Sequence, residues 1–260
     1  MPQEGTADGQ KSFFNNDKAT LTVMVQADNP DRIKELMDQS VPEGAEAFGI
    51  QFEQMLPEYR TPEVYRDLFS YAKSRPSYVT NYRGTQNNGK SDDELGDELV
   101  ELAECGADLC DIMGDYFDKQ PDEVAVDENA INKQIELINR IHEKGARVLM
   151  SSHVMKYTPA ERVLEIALEH KRRGADISKI VTGADTVEQE LENLKIINML
   201  KEKLGIPFLF LCNNRCKLLR RIGGEIGSCM YLCVYEHDAM ATPAQPLLSD
   251  VKLIRYLLNK

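Results

Sequence analysis

A chain of 260 residues can hold one large domain or two small ones. With 42% hydrophobic and 28% charged residues it reads as a soluble globular enzyme, and no apolar run approaches the roughly 18 residues of a transmembrane helix. The 31 basic and 43 acidic residues leave a net charge of −12 without basic clusters, which argues against nucleic acid and anionic membrane surfaces as partners.

Residues 1–18 are polar, carry Gly5, Gly9, Asn15 and Asn16, and lack an apolar signal core. They read as a flexible N-terminal arm on a cytoplasmic protein, leaving 19–260 as the folded unit. Ala19 to Ala27, with Leu21, Val23 and Val25 alternating, is the first expected strand. Asn29-Pro30-Asp31 opens a helix with proline in its first turn. A strand over Ala45 to Phe52 follows, then a helix from Thr61-Pro62-Glu63 to near Ser74, then a strand over Ser77 to Tyr82. Ser91-Asp-Asp-Glu caps a helix to Cys105, Leu109 to Met113 is the fourth strand, and Asn129 to Lys144 is a helix ended by Gly145.

Val148 to Met150 is the fifth strand, and the helix after it carries Leu164, Ile166, Ala167 and Leu168 on its apolar side. Ile177 to Val181 is the sixth strand. The helix over Thr186 to Leu204 shows Leu191, Leu194, Ile197 and Leu200 as one stripe. Phe208 to Leu211, a basic helix over Lys217 to Gly223, a strand over Gly227 to Val234 and a helix over Val251 to Leu258 complete the chain. Eight strands alternating with helices, without a linker, point to a single-domain α/β fold of the (β/α)8 TIM-barrel type. An open doubly wound sheet competes, but Asp28-Asn-Pro-Asp is not a glycine-rich phosphate loop after the first strand.

Six cysteines, at 105, 110, 212, 216, 229 and 233, sit in a chain without a signal peptide and read as reduced thiols in core positions. Two C-x-x-x-C spacings raise metal binding as the rival reading, with Cys229 and Cys233 on one face of a strand.

Barrel active sites form where strands end at their C-terminal side. The polar residues there are Gln51 and Glu53, Arg83, Asp111, His153 and Lys179, then Asn213, Asn214 and Arg220, with Gln245 in the last loop. Lys179 lies inside an apolar strand, where it must be solvated, paired or reactive. A desolvated lysine supplies the neutral amine that imine formation needs, and a histidine one strand away can move protons beside it. An outward lysine and a satisfied core histidine remain the plain alternative. Arg83, Lys179 and Arg220 form a basic cluster inside an acidic chain, which suggests an anionic substrate.

Ser152-His153 with Thr158-Pro159, and Gly174-Ala-Asp-Ile-Ser-Lys179-Ile, resemble the type I 3-dehydroquinate dehydratases. Arg220-Arg-Ile-Gly-Gly-Glu-Ile-Gly-Ser228, Thr242-Pro-Ala-Gln245, Tyr82-Arg83 and Asp111 extend the resemblance over nearly the whole chain after residue 19. It implies dehydration of 3-dehydroquinate to 3-dehydroshikimate, in the shikimate pathway of aromatic amino acid biosynthesis. It implies that Lys179 forms an imine with the substrate ketone, that His153 is the general acid and base, and that Asp111 orients or charges the imidazole. Arg83, Arg220 and Gln245 would bind an anionic keto substrate, no metal or organic cofactor would be needed, and the protein would be a homodimer.

Several positions depart from the family pattern. Gln51-Phe52-Glu53 stands where the family ends its second strand with glutamate, an aromatic residue and arginine. Asn87-Asn88-Gly89 replaces a glutamate and two glycines, and Cys212, Leu219 and Ala241 replace a methionine and two serines. On this reading Glu53 repels a substrate carboxylate or pairs with Arg83, and Asn87 leaves His153 without its acidic neighbour. A related keto substrate, or ligand binding without catalysis, therefore stands beside dehydroquinate as an alternative.

Overall fold

In a computed structural model, the structure describes residues 13, 14, 18–72, 75–214 and 217–260. Eight strands run β1 (Thr20–Val25), β2 (Ala47–Gln51), β3 (Ser77–Thr80), β4 (Leu109–Met113), β5 (Arg147–His153), β6 (Ile177–Ala184), β7 (Phe208–Asn214) and β8 (Met230–Cys233). The helices are α1 (Pro30–Glu43), α2 (Pro62–Tyr71), α3 (Asp92–Glu104), α4 (Glu128–Glu143), α5 (Ala160–Arg173), α6 (Val187–Lys203), α7 (Lys217–Ile226) and α8 (Leu248–Leu258). Among the described residues the paired strands are all parallel, in the order β7-β6-β5-β4-β3-β2-β1-β8. The seam between β7 and β8 is bridged just before β8, where Cys229 N donates to Phe208 O at 2.8 Å. This is a single-domain (β/α)8 TIM barrel.

The helix starts follow from capping chemistry. Asn29 and Thr61 accept from backbone N–H groups three residues on, each with proline next in the chain. Ser91 with Glu94, and Thr186 with Gln189, form reciprocal capping boxes. Each cap turns the chain from a strand end into the helix that returns along the barrel, so successive strands run parallel and their C-terminal ends share one rim.

Strand alternation divides the core. Met24, Ala47, Tyr78, Leu109, Leu149, Ile177, Leu209 and Met230 pack together inside the barrel. Their neighbours Val23, Phe48, Val79, Cys110, Val148 and Cys233 pack outward with the helices. Gly49 leaves room inside for the end of the Met24 side chain, whose Sδ would lie 2.2 Å from a Cβ there.

Some expectations are corrected. Phe13 is buried at 2% exposure among the interior residues; residues 1–12, 15–17, 73, 74, 215 and Cys216 lie outside the described residues. α5 buries Val163, Ile166, Ala167, His170 and Arg173, while Leu168 is exposed. α6 buries Asn193, Ile196, Ile197 and Leu200. Leu191 is exposed, because two residues from Asn193 is about 200° around a helix of 3.6 residues per turn. Asn193 takes the inward face and donates to Cys212 Sγ at 3.1 Å. Cys229 precedes β8 and joins the interior cluster, whereas Cys233 packs outward, so they share no face.

Candidate active site

Lys179 sits on β6 with Ile177 and Val181, which turn into the barrel, while Ile180 turns out. It is buried, and its Nζ donates to Tyr78 Oη (3.0 Å), Tyr82 Oη (2.7 Å) and Asp111 Oδ2 (3.1 Å). All three ammonium protons therefore have acceptors. Asp111, fully buried, also accepts from Ser151 Oγ at 2.6 Å through Oδ1 and from both tyrosine hydroxyls through Oδ2. Ser151 is the Cα partner of Lys179 across β5 and β6. Burial, and then the Asp111 charge, push the Tyr78 and Tyr82 phenols well above their ordinary range, so they stay protonated. Of the states open to a lysine in an apolar strand, Lys179 is paired, and one sequence expectation changes: Asp111 holds Lys179, not the imidazole.

The imidazole has a different carboxylate. His153 Nδ1 lies 2.8 Å from Glu123 Oε2, and its backbone N donates to the same oxygen at 2.7 Å. Burial alone would raise the Glu123 carboxyl; the hydrogen bonds and charge of His153 outweigh it and hold the group below the usual range. Glu123 lies in the loop between β4 and α4, which has no periodic pattern, and the sequence reading passed over it. Its only sequence cue is a place after the C-terminal end of a barrel strand.

The loop is held from behind. Glu123 has a φ of +48°, a region costly for a side chain with a Cβ. Ser152 Oγ donates to Glu123 O at 2.7 Å and lies 3.0 Å from His170 Nε2, whose Nδ1 lies 2.9 Å from Ser178 Oγ. Buried Arg173 donates to Gly114 O (2.9 Å), Ala125 O (2.8 Å) and Gln134 Oε1 (2.8 Å). A Cβ at Gly114 would lie 2.5 Å from Glu123 O, so glycine is needed for the loop to close. Burial pushes His170 down to about 3, and it serves as a neutral bridge between β5 and β6.

Lys179, His153, Tyr82, Tyr78, Gln51, Arg220, Asn213, Thr242 and Gln245 line a cavity of about 170 Å³ at this rim, with Met24, Val181, Leu211 and Leu232 as apolar walls. That size suits a small molecule, not a polymer. Arg220 Nε donates to Cys212 O at 3.0 Å and its NH2 to Asn213 Oδ1 at 2.5 Å. Among the described residues no carboxylate pairs with it. Burial pushes its guanidinium down to about 10, so it remains a cation at neutral pH. Gln245 Oε1 is buried without a hydrogen-bond partner among the described residues. Gln51 accepts from Gln26 Nε2, which also donates to Thr242 Oγ1 at 2.8 Å.

Three expected substrate contacts stand outside this lining. Arg83 donates to both Asp92 oxygens at 2.7 Å and to Asp115 Oδ1 at 2.8 Å, so its charge is already taken. Glu53 is buried beneath Thr80, whose Oγ1 lies 2.8 Å from one carboxylate oxygen. Burial pushes its carboxyl above the usual range, against hydrogen bonds from its own backbone, Thr80 and Tyr82. It neither pairs with Arg83 nor presents a charge to the cavity. Asn87 is buried, donating to Asn81 Oδ1 (2.9 Å) and Tyr82 O (2.7 Å). The expectation that its presence leaves His153 without an acid is corrected, because Glu123 arrives from the next loop. Among the described residues, no group of three or more His, Cys, Asp or Glu side chains is arranged to hold a metal ion.

A family model described as type I 3-dehydroquinase matches residues 79–260. The 3-dehydroquinate dehydratase of Alkaliphilus oremlandii is 32% identical over 127 residues, which is 48% of this chain and 49% of that protein. The chain thus spans about half the length of the curated relatives it matches. The crystal structure of 3-dehydroquinate dehydratase from Geobacillus kaustophilus superposes with a TM-score of 0.80 at 16% identity, covering 95% of this chain and 93% of that one. The Clostridium difficile type I 3-dehydroquinate dehydratase, solved with covalently modified comenic acid, gives 0.76 at 17% identity, covering 94% of each chain. These two likenesses establish a shared fold.

Proposed function

The chain belongs to the type I 3-dehydroquinase family, and on that footing we propose that it is a hydro-lyase that dehydrates 3-dehydroquinate through an imine on Lys179. The observation that carries the reading is Lys179 Nζ and the Glu123-supported imidazole of His153 lining one small cavity beside a guanidinium that, among the described residues, meets no carboxylate. Lys179 attacks the ketone carbon, and the protonated imine serves as the electron sink for the neighbouring C–H bond. His153 takes that proton, and the electron pair moves onto nitrogen. The resulting enamine pushes out the β-hydroxyl, which leaves as water with the proton His153 returns. A second water hydrolyses the imine and releases the product. Glu123 fixes the imidazole orientation and stabilises its protonated form. Arg220 holds the substrate carboxylate, and Gln245 Oε1 accepts from a substrate hydroxyl. We place the protein in the cytoplasm as a homodimer, which size-exclusion chromatography with light scattering tests.

The test is a mass spectrum after incubation with 3-dehydroquinate and borohydride. Wild type should gain one reduced adduct on Lys179, and Lys179→Ala none. An adduct on another lysine would refute the assignment. One observation favours a second substrate reading: Arg83 is closed off by Asp92 and Asp115, leaving Arg220 as the one guanidinium among the lining residues. A cyclic β-hydroxyketone carboxylate with fewer hydroxyls than dehydroquinate fits that lining. Slow turnover of dehydroquinate alongside efficient trapping is the result expected for it.

A further inference from the structure

Imine formation from a lysine ammonium and a ketone gives a protonated imine and water, so charge is unchanged and two protons move from nitrogen to oxygen. That transfer needs a group that accepts at nitrogen and donates at oxygen without net change. Asp111 is poorly suited, because its two oxygens only accept in this cage and are already taken by Ser151, Tyr78, Tyr82 and Lys179. The two phenols each accept from Nζ, and each carries one proton, donated to Asp111 Oδ2, that rotation about the C–O bond can turn toward a substrate oxygen. Tyr78 lies at the fully buried floor, whereas Tyr82 is only partly buried and reaches up the wall, its ring edge-on to His153 with centroids 5.3 Å apart.

We propose that Tyr82 is a further catalytic residue, the proton relay between Lys179 Nζ and the substrate carbonyl oxygen. The inference rests on the Lys179 imine reading. In the first step Tyr82 Oη takes a proton from Nζ as it gives its own to the ketone oxygen. The N–C bond forms, the C–O π pair passes to oxygen, and a protonated carbinolamine results. In the second step Tyr82 again takes a proton from nitrogen and gives one to the hydroxyl. The C–O bond breaks with its pair on the departing water, and the nitrogen lone pair closes the C=N bond. Tyr82 ends each step as the neutral phenol it began as, and no outside acid or base is consumed. His153 is thereby left for the C–H and hydroxyl chemistry, with Glu123 behind it. Tyr78 and Asp111 hold the nitrogen while this happens.

The test separates imine formation from the steps after it. Wild type, Tyr82→Phe and Tyr78→Phe are mixed with 3-dehydroquinate, quenched with borohydride at increasing times, and the adduct on Lys179 is followed by mass. Loss of a positioned acid–base group typically costs about 10²–10⁴-fold in its step. Tyr82→Phe should slow adduct formation at least about a hundredfold, and Tyr78→Phe less than about tenfold. Once formed, the Tyr82→Phe imine should exchange its α-proton with D2O at the wild-type rate, which a general loosening of the site would not preserve. Should Tyr82→Phe fail to fold, fluorotyrosine placed at position 82 replaces it, and adduct formation should change with phenol acidity. Adduct formation by Tyr82→Phe within threefold of wild type, or indifference to the fluorine, overturns the relay. If wild type forms no adduct, the imine reading falls and the relay with it. If wild type forms it and Tyr82→Phe keeps pace, only the relay falls.

Discussion

Replacing Asp111 with Asn removes one charge from a buried pair and turns one acceptor oxygen into an amide donor. Lys179 is 4% exposed and Asp111 fully buried, with Nζ and Oδ2 3.1 Å apart, so water does little to screen either. Removing one partner of such a pair typically costs about 3–5 kcal/mol, because a charge is left buried and uncompensated. The two halves are unequal in this cage. In Asp111→Asn, Lys179 retains the two phenol oxygens and at most a neutral amide oxygen, whereas an unpaired Asp111 retains hydroxyl donors from Ser151, Tyr78 and Tyr82. Asp111→Asn should therefore destabilise by about 3 kcal/mol or more, and Lys179→Met by less. The double variant should recover about 1–3 kcal/mol against the sum of the singles. With an m of about 3 kcal/mol per molar urea, a 3 kcal/mol loss moves the midpoint by about 1 M. The assay is urea unfolding of wild type, both singles and the double, compared at unchanged m. Single costs that add within about 0.5 kcal/mol, or a larger loss from Lys179→Met, would refute the account of the cage.

Three further outcomes follow from the same geometry. Glu123→Gln removes a charge-assisted hydrogen bond of about 1.5–3 kcal/mol, so kcat should fall roughly 10- to 150-fold with KM little changed and borohydride trapping intact; an unchanged kcat would remove Glu123 from the mechanism. Arg220→Met should cost about 2–5 kcal/mol of substrate binding, at least about thirtyfold in kcat/KM, mostly through KM, and an unchanged KM in steady-state kinetics would show that the carboxylate lies elsewhere. His170, held down at about 3 by burial, stays neutral in the fold while the unfolded chain takes up a proton below about 6.5. Its contribution is therefore present above pH 6.5 and lost as pH falls toward 3, reaching about 2 kcal/mol of loss at pH 5. Unfolding midpoints of His170→Gln should show a correspondingly shallower acid slope, and a slope equal to wild type would assign the acid sensitivity to other groups.

The sequence by itself determined the architecture and the level of the site. Period-two strands, capping residues such as Asn29, Ser91 and Thr186, and the strand–helix alternation are short-range features, so the chain displays them directly. They place Lys179 and His153 on adjacent strands near one rim, and the structure has both lining one cavity. Tertiary structure alone decided the partners. Asp111 meets Lys179 because their side chains turn into the same interior, a pairing across 68 residues that no spacing expresses. Glu123 reaches His153 from a loop whose path is fixed by Arg173, Ser152 and Gly114, none of which marks it in the sequence. Arg83 and Glu53 follow their strands at that end of the barrel, yet one is drawn off by Asp92 and Asp115 and the other lies beneath Thr80. Local periodicity sets which face a residue occupies. Which charge it meets depends on distances across the barrel and on competition among several acceptors, and those exist only once the strands have closed.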